Sequence, residues 1–210
     1  PGQVLIGVLR FTLAVELVSA VVLTVRLRTA YHDGWGEAVY SGVFHSVSAF
    51  NNAGFGLLPD SAVQWAQDPW MCLPLMISVM VGGLGFPVWW ELFKHWREPY
   101  RRWTIHATIT IWGSVVLWVV GTLLFAVVEW DNERTLGPMG TGGKILAAAF
   151  QSVVARTAGF NSVDIGAVRQ ESLLLLDGLM FIGGGSAGTA GGIKVATFAI
   201  LGFVIWAELR

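Results

Sequence analysis

The chain contains Asn51-Asn52-Ala53-Gly54-Phe55 and, in its second half, the closely similar Arg156-Thr157-Ala158-Gly159-Phe160. Each stretch follows a short, moderately apolar helical segment and precedes a long hydrophobic one. In a membrane, a glycine turn between hydrophobic helices lets backbone carbonyls point at a cation that has lost its water shell. Two copies at equivalent places disfavour the alternative of a simple interhelical turn. The pair therefore indicates ion permeation rather than catalysis.

The composition is typical of a membrane protein. Apolar residues make up 54% of the 210 residues and charged residues 13%, with a mean hydropathy of +0.62. A soluble domain carries roughly 25% charged residues, so the composition predicts an all-α, polytopic transmembrane fold. The net charge of −1 offers no basic surface for nucleic acid. The single cysteine, Cys72, excludes an internal disulfide and fits a small buried apolar residue.

Hydropathy divides the chain into long spans, short helices and turns. A bilayer-crossing helix takes about 20 residues, and four hydrophobic segments that can span are predicted at residues 4–25, 71–93, 104–128 and 173–209. Two helices at 37–49 and 142–154 are too short to span and are predicted to be re-entrant or buried. A glycine-rich run at 183–192 interrupts the last segment, which predicts a broken final helix.

The order span, short helix, glycine turn, span occurs twice. A residue match accompanies it, because Phe44-His45-Ser46-Val47 corresponds to Phe150-Gln151-Ser152-Val153, and the turns then align after one gap. We therefore predict two equivalent units, at residues 1–98 and 99–210. The chain begins at Pro1 without a charged leader and stops directly after a hydrophobic segment, so we expect an internal piece of a longer membrane protein.

The distribution of lysine and arginine predicts the orientation in the membrane. The loop at residues 94–102 is the most basic of the chain and is predicted to be cytoplasmic. The loops at 129–144 and 164–171 carry few positive charges and fit the outer side, whereas Arg26 and Arg28 weaken this assignment. Both glycine turns then lie towards the outer face.

The two glycine turns supply the candidate ion site. Gly54 and Gly159 have no Cβ and adopt unusual φ/ψ values at little cost, which lets successive carbonyls face one path. The short helices would aim their negative C-terminal ends at the same cavity. Phe55 and Phe160 are expected to pack behind the turns. The residues predicted to line the ion path are Asn52, Ala53, Gly54, Phe55, Thr157, Ala158, Gly159 and Phe160.

Several polar side chains are predicted to support these turns. Arg156 is expected to lie behind the second turn and bond its backbone, with tuning of ion occupancy by repulsion as the alternative. Asn51 and Asn161 are expected to cap or brace the loops. The match of His45 with Gln151 predicts a hydrogen-bonding role behind the short helix. No nucleophile has an adjacent base and no histidines have metal-ligand spacing, so no enzyme is predicted.

These motifs resemble a known family. The stretches Ser48-Ala49-Phe50-Asn51-Asn52-Ala53-Gly54-Phe55 and Ala155-Arg156-Thr157-Ala158-Gly159-Phe160-Asn161-Ser162-Val163-Asp164 look like the second and third pore loops of the Trk/Ktr/HKT potassium-transporter superfamily. The stretch Met180-Phe181-Ile182-Gly183-Gly184-Gly185-Ser186-Ala187-Gly188-Thr189-Ala190-Gly191-Gly192-Ile193-Lys194 is similar to the intramembrane gating loop of that family. The resemblance covers essentially the whole chain.

The resemblance implies a potassium-uptake subunit in the cell (inner) membrane, built from four membrane-pore-membrane units around one pore. Residues 1–98 would be the second unit and 99–210 the third, so this chain would hold half of the filter. The transported ion would be K⁺, with coupling to Na⁺ left open, and no cofactor is implied. The implied partners are the lipid bilayer, a second copy in a homodimer and a cytoplasmic nucleotide-binding regulatory subunit of the RCK/KTN type.

The glycine-rich run is predicted to form a gate below the filter. Six glycines in ten residues disfavour a helix, and irregular backbone is tolerated inside a bilayer where it lines a water-filled cavity. Its middle, Gly185-Ser186-Ala187-Gly188, departs from the Ser-Pro-Gly-Ser pattern of many members. Lys194 is expected to reach the cavity or a carboxylate such as Asp177. The predicted gate residues are Gly183, Gly184, Gly185, Ser186, Gly188, Thr189, Gly191, Gly192 and Lys194.

Alternatives remain open. The closest is a sodium-selective HKT-like transporter, and the second is a membrane scaffold that transports nothing. A G-x-G-x-x-G pattern at positions 183, 185 and 188 suggests a nucleotide-binding enzyme, but that motif needs a preceding strand in a βαβ unit, and no alternating strand is indicated. The spacing of Gly184, Gly188 and Gly192 would also suit close helix packing.

Overall fold

A computed structural model describes residues 2–95 and 103–210. Within these ranges the chain forms eight α-helices joined by loops and short 3₁₀ turns. Most of the basic loop predicted at 94–102 lies outside the described residues. The helices are α1 (Gly2–Ala30), α2 (Trp35–Phe50), α3 (Pro69–Leu84), α4 (Phe86–Lys94), α5 (Ile105–Glu129), α6 (Thr141–Ala155), α7 (Gln170–Phe181) and α8 (Val195–Glu208).

Helices α1 and α5 are long and apolar enough to cross a membrane. Neither shows a strong apolar stripe with a polar opposite face, because both are apolar nearly all round. Their outward side chains are large and exposed, as at Leu5 and Val127, which are 71% and 75% exposed. Exposed apolar surface of this extent marks contact with lipid or with further protein.

The predicted short helices are confirmed as α2 and α6, each of which leads into a glycine turn. Helix α2 packs on α1 and α3, helix α6 packs on α5 and α7, and the contact of α3 with α6 joins the halves. The matched serines make matched bonds to the preceding span. The Ser46 hydroxyl donates to the carbonyl of Glu16 at 2.6 Å, and the Ser152 hydroxyl donates to that of Trp118 at 2.9 Å. The repeat in sequence is therefore also a repeat in packing.

The segment predicted as a span at 71–93 is not one straight helix. Helix α3 ends at Leu84, and α4 leaves it at an angle of 92°. The break lies at Gly85, whose φ of 87° and ψ of 149° are accessible essentially only to glycine. The neighbouring Gly82, Gly83 and Pro87 are weak helix formers that disfavour an unbroken helix here.

The break predicted in the last hydrophobic segment is confirmed. Helices α7 and α8 are separated by a non-helical stretch that carries the glycine run. We call residues 183–194 the glycine-rich loop. A single parallel bridge between Ile182 and Ile193 closes the base of this loop, and the N–H of Gly183 donates to the carbonyl of Ile193 at 2.9 Å.

In the first half, Asp68 joins the end of α1 to the start of α3. It accepts hydrogen bonds from Nε of Arg26 at 2.6 Å and from the Tyr31 hydroxyl at 3.1 Å. It also caps α3 by accepting from the N–H of Trp70 at 3.0 Å. Burial and the nearby Asp68 carboxylate raise the pKa of Tyr31 to about 12, so the phenol keeps its proton and remains a donor.

In the second half, Glu129 joins α5 to the start of α7. Its carboxylate is fully buried and accepts from Nδ2 of Asn132 at 2.6 Å and from the Thr135 hydroxyl at 2.7 Å. It also accepts from the N–H of Arg169 at 2.8 Å and from the Ser172 hydroxyl. The two halves thus make the same connection through different residues, since each uses one buried carboxylate.

We expect Gly85→Ala to destabilise the fold by about 1–3 kcal/mol, because alanine does not tolerate this φ/ψ region. An added Cβ would also lie 2.8 Å from the N of Gly188 in the glycine-rich loop. The measurement is thermal unfolding of the full-length protein in detergent. The matched control is Gly202→Ala, since a Cβ there meets nothing within 4 Å. Equal unfolding temperatures for the two variants would contradict the expectation.

Candidate functional site

The structure brings the two glycine turns, residues 51–55 and 156–160, into direct contact. A Cβ on Gly54 would lie 2.6 Å from the Cα of Gly159, and a Cβ on Gly159 would lie 3.2 Å from the Cα of Gly54. Any side chain at position 54 would therefore collide with the backbone of the other turn. The contact explains why both turns carry glycine at this position.

The backbone of the two turns follows the same conformational pattern. Asn52 and Gly54 have φ values of 50° and 70°, and Thr157 and Gly159 have 76° and 85°. Positive φ therefore recurs at every second residue in both turns. A positive φ is an outlier for β-branched Thr157, and strain of this kind concentrates at functional sites.

The carbonyls of the turns are largely free of protein partners. Among the described residues, none donates a hydrogen bond to the carbonyls of Asn52, Ala53 or Gly54, and the same is true of residues 157–160. The carbonyl of Phe55 differs, because it accepts from the Ser48 hydroxyl at 2.8 Å. Inside a bilayer, a carbonyl without a protein donor is costly unless water or an ion meets it. A set of them in two adjacent turns is a candidate site for a cation.

The two phenylalanines occupy different environments. Phe160 is 1% exposed and lies in the main apolar cluster with Phe150 and Trp65, as expected. Phe55 is 69% exposed and borders an open apolar groove along α2, so the expectation that it packs behind its turn is wrong within the described part of the chain.

The matched residues His45 and Gln151 hold the chain that returns from each turn. The His45 ring lies with Nδ1 2.8 Å from the carbonyl of Ser41, so Nδ1 carries the proton and Nε2 accepts from the N–H of Leu57 at 3.4 Å. The Gln151 carbonyl oxygen accepts from the N–H of Ser162 at 3.0 Å. The hydrogen-bonding role predicted from their match is confirmed.

Asn51, at the start of the first turn, and Asn161, directly after the second, form hydrogen bonds with different partners. The Asn51 side chain donates to the Glu16 carboxylate at 3.1 Å and so ties the first turn to α1. The backbone of Asn161 joins the two return loops, because its N–H donates to the Ser61 hydroxyl at 3.1 Å and its carbonyl accepts from Ala62 at 3.1 Å.

The glycine-rich loop docks into the break between α3 and α4. The N–H of Gly185 donates to the carbonyl of Gly83 at 2.8 Å, and the N–H of Thr189 donates to that of Gly82 at 3.0 Å. A Cβ on Gly188 would lie 3.0 Å from the carbonyl oxygen of Gly82. The glycines of the loop therefore permit close backbone approach, and helix packing does not describe them because the segment is not helical.

The loop also contacts both glycine turns. Nδ2 of Asn52 donates to the Thr189 hydroxyl at 2.7 Å, and that hydroxyl donates to the carbonyl of Phe50 at 2.9 Å. The N–H of Gly191 donates to the Thr157 hydroxyl at 2.8 Å. The predicted filter and the predicted gate are thus hydrogen-bonded to each other.

The two cationic side chains near the loop both bond to backbone carbonyls. Nε of Arg156 donates to the carbonyl of Ile182 at 3.2 Å, and its terminal nitrogen donates to that of Gly183. Arg156 therefore bonds to the loop, whereas the sequence predicted a bond to the second turn. Nζ of Lys194 donates to the carbonyl of Ala190 at 2.5 Å, within its own loop, rather than to Asp177.

The surroundings limit the chemistry. Among the described residues there is no group of three or more His, Cys, Asp or Glu able to hold a metal ion. The glycine-rich loop follows helix α7 rather than a strand, so the dinucleotide-binding alternative lacks the strand that its motif needs. What the site offers is backbone carbonyls, which suit an alkali cation.

The profile of a family described as TrkH, cation transport protein, matches residues 3–209. The chain belongs to this family. The family description refers to cation transport, and the all-α architecture, with two helices long and apolar enough to cross a membrane, agrees with membership.

Two relatives and one solved structure illustrate the family. The chain is 43% identical over 203 residues to Ktr system potassium uptake protein B of Vibrio alginolyticus, covering 97% of this chain and 44% of the relative. It is 33% identical over 199 residues to potassium/sodium uptake protein NtpJ of Enterococcus hirae, covering 95% and 43%. The crystal structure of the potassium transporter TrkH from Vibrio parahaemolyticus shares the fold, with a TM-score of 0.79 at 18% identity over 99% of this chain and 42% of that one. The chain thus spans less than half the length of these proteins.

Sequence reasoning missed the docking of the glycine-rich loop on the break after α3. The signal was present, since Gly82, Gly83, Gly85 and Pro87 cluster inside one hydrophobic segment. The carbonyls that such a break releases need donors, and the glycine-rich loop is a comparable irregular stretch in another hydrophobic segment.

We expect Gln151→Leu to destabilise the protein by about 1–3 kcal/mol, because it leaves the buried N–H of Ser162 without its acceptor. Thermal unfolding of the full-length protein measures the effect. Gln170→Leu is the matched control, since Gln170 is exposed at the start of α7. An unfolding temperature unchanged by Gln151→Leu would show that the bond to Ser162 contributes nothing.

Proposed function

We propose that this chain is part of the ion-translocating subunit of a Trk/Ktr-type potassium-uptake system. The observation that carries the proposal is the pair of touching glycine turns with alternating positive φ and unpartnered carbonyls. Backbone carbonyls replace the water shell of K⁺ without burying a full negative charge in the membrane. The names of the relatives, which are potassium uptake proteins, agree with this chemistry.

In this proposal the filter is lined by the carbonyls of residues 52–55 and 157–160. Helices α2 and α6 end immediately before these residues, and their C-terminal ends add negative potential where the cation binds. The carbonyl of Phe55 shares its lone pairs with the Ser48 hydroxyl. It would therefore be the weakest ligand of the first turn.

Two turns form half of a filter in which four turns surround one path. We propose that residues 1–98 and 99–210 are two successive membrane-pore-membrane units and that the rest of the full-length protein supplies two more. The relatives are long enough for this, because the chain covers 44% of the Vibrio alginolyticus protein. The exposed Phe55 and the apolar groove along α2 would then be covered inside the complete subunit.

The glycine-rich loop is proposed as the gate of this pathway. It is the one non-helical stretch that touches both turns and the break between α3 and α4 within the described residues. Its non-helical backbone suits a segment that lines a water-filled cavity in the membrane. Opening would require the loop to leave these contacts.

The proposed location is the cell membrane, with both glycine turns towards the outside. The proposed partners are a second copy of the subunit and a cytoplasmic nucleotide-binding regulatory subunit of the RCK/KTN type. The Vibrio alginolyticus relative is named as part of a Ktr system, which fits a subunit that works with others. The basic loop at 94–102 would lie on the cytoplasmic side.

Sodium transport is the second candidate function. One relative, from Enterococcus hirae, is named a potassium/sodium uptake protein at 33% identity. The carbonyl chemistry of the turns suits both ions, and the number and spacing of carbonyls in the complete filter would decide between them. Uptake must therefore be measured for both ions.

We expect Gly54→Ser and Gly159→Ser each to lower the apparent K⁺ affinity of uptake roughly tenfold or more, through strain at positive φ and the clash between the turns. The full-length protein is expressed in bacteria that lack K⁺ uptake, and K⁺ and Na⁺ uptake are measured. Gly56→Ser is the matched control, because position 56 has no positive φ and its nearest neighbour would lie 3.7 Å from the Cβ.

The outcomes separate the candidate functions. Loss of K⁺ affinity in the two variants, with normal uptake in Gly56→Ser, supports the filter. Sodium uptake that exceeds potassium uptake in the parent protein assigns the sodium-selective alternative. Unchanged uptake in Gly54→Ser and Gly159→Ser, with the proteins present in the membrane, would refute the proposed filter and favour a membrane scaffold that transports nothing.

A further inference from the structure

We propose that Arg156 restrains the glycine-rich loop in the position seen here and so sets how readily the gate opens. The inference rests on the proposed function and extends it to a residue that sequence reasoning assigned to filter support. Arg156 would be a positioning residue, since its side chain bonds to the loop and not to the carbonyls of the turns.

Arg156 is held on three sides. It is 4% exposed and follows α6 directly. Its guanidinium donates to the carbonyls of Ile182 and Gly183, where α7 passes into the loop. The guanidinium carbon Cζ lies 5.5 Å from the ring centre of Trp118 on α5, within cation–π range. The side chain therefore links the second turn, the spanning helix α5 and the start of the loop.

The charge of Arg156 depends on these contacts. No carboxylate lies within ion-pair distance of it among the described residues. Two helices, α6 and α7, end next to it, and the C-terminal end of a helix carries partial negative charge. Carbonyl oxygens and an aromatic ring are thus its counter-charges, and a buried cation that loses such partners pays a large desolvation cost.

The remaining contacts of the loop are neutral. They are N–H bonds from Gly185 and Thr189 to the carbonyls of α3, and bonds between Thr189 or Gly191 and the two turns. Water that enters with an opening gate replaces neutral partners at little cost. Hydrogen bonds to a charged donor are stronger than neutral ones, so moving Ile182 and Gly183 away from Arg156 is the most demanding step.

The space at this junction gives a way to detect the movement. A cavity of about 10 Å³, room for at most one water, lies between the turns and the loop, and Arg156, Gly184 and Ala190 contribute to its wall. Ser114 of α5 lines the same cavity, is 1% exposed and has no hydrogen-bond partner among the described residues. Ser114→Cys is nearly isosteric, and its thiol becomes reachable only when the loop moves.

The experiment uses the full-length protein with Arg156→Gln, and with Arg134→Gln as the matched control on an exposed loop. We expect Arg156→Gln to raise the maximal K⁺ uptake rate and the labelling rate of Ser114→Cys about tenfold each, the effect of losing one charge-assisted hydrogen bond. The K⁺/Na⁺ preference stays unchanged. Labelling uses a small methanethiosulfonate, and the parent without Ser114→Cys gives the background from buried Cys72.

The labelling and uptake results either support or overturn the proposed role of Arg156. Labelling of Ser114→Cys that stays slow in Arg156→Gln overturns the proposal, and so does an altered K⁺/Na⁺ preference at unchanged maximal rate, which would place Arg156 in the filter. If Arg156→Gln fails to fold, Arg156→Lys replaces it. Lysine keeps the charge but has one nitrogen for two carbonyls, so an intermediate labelling rate supports the restraint and a parental rate overturns it. A parent protein that transports no K⁺ refutes the proposed function, while the labelling comparison still tests the restraint.

Discussion

The fold depends on the need of every backbone N–H and C=O inside a bilayer for a partner, because the hydrocarbon supplies none. Two helices of this chain stop inside hydrophobic segments, after Leu84 and after Phe181, and each leaves carbonyls without the donor of the next turn. The glycine-rich loop supplies donors to the ends of both helices. The glycine-rich loop donates to Gly82 and Gly83 of α3, and the N–H of Ile193 in the same loop donates to the carbonyl of Phe181 in α7 at 3.0 Å. The breaks in the two halves therefore stabilise each other.

The two halves show which parts of a repeated unit are fixed by physics and which are free to change. His45 and Gln151 are chemically different, yet each accepts a backbone N–H from the chain returning from its turn. The connection that follows the long helix of each half uses Asp68 in one half and Glu129 in the other, with an arginine partner in the first and neutral donors in the second. The two halves therefore keep a hydrogen-bond acceptor at each matching position, although the residue that supplies it differs. The backbone of the turns is fixed most strictly, since positive φ recurs at the same two positions in both.

Much of this architecture follows from local sequence. Helix α2 was predicted at 37–49 and is found at Trp35–Phe50, and α6 was predicted at 142–154 and is found at Thr141–Ala155. The break at Gly85 was missed because apolar side chains continue on both sides of it, and hydropathy does not sense φ. The bond between Asn52 and Thr189 joins residues 137 apart, and no local pattern encodes such a contact. The partners of Arg156 were missed for the same reason, since its neighbours in sequence belong to the turn and its neighbours in space to the loop.

The residues that shape the proposed filter are also those that hold the proposed gate. Asn52 and Thr157 carry the non-glycine positive φ values of the two turns, and their side chains bond to Thr189 and Gly191. A β-branched residue at a φ of 76° is strained, and the bond from Gly191 is one of the contacts that keep it there. Displacement of the loop would remove that contact, so the geometry of the turn and the position of the loop are energetically coupled. Coupling of this kind is reciprocal. An ion that stabilises the strained turn must therefore also stabilise the loop contacts, and a loop that leaves must weaken ion binding at the turn.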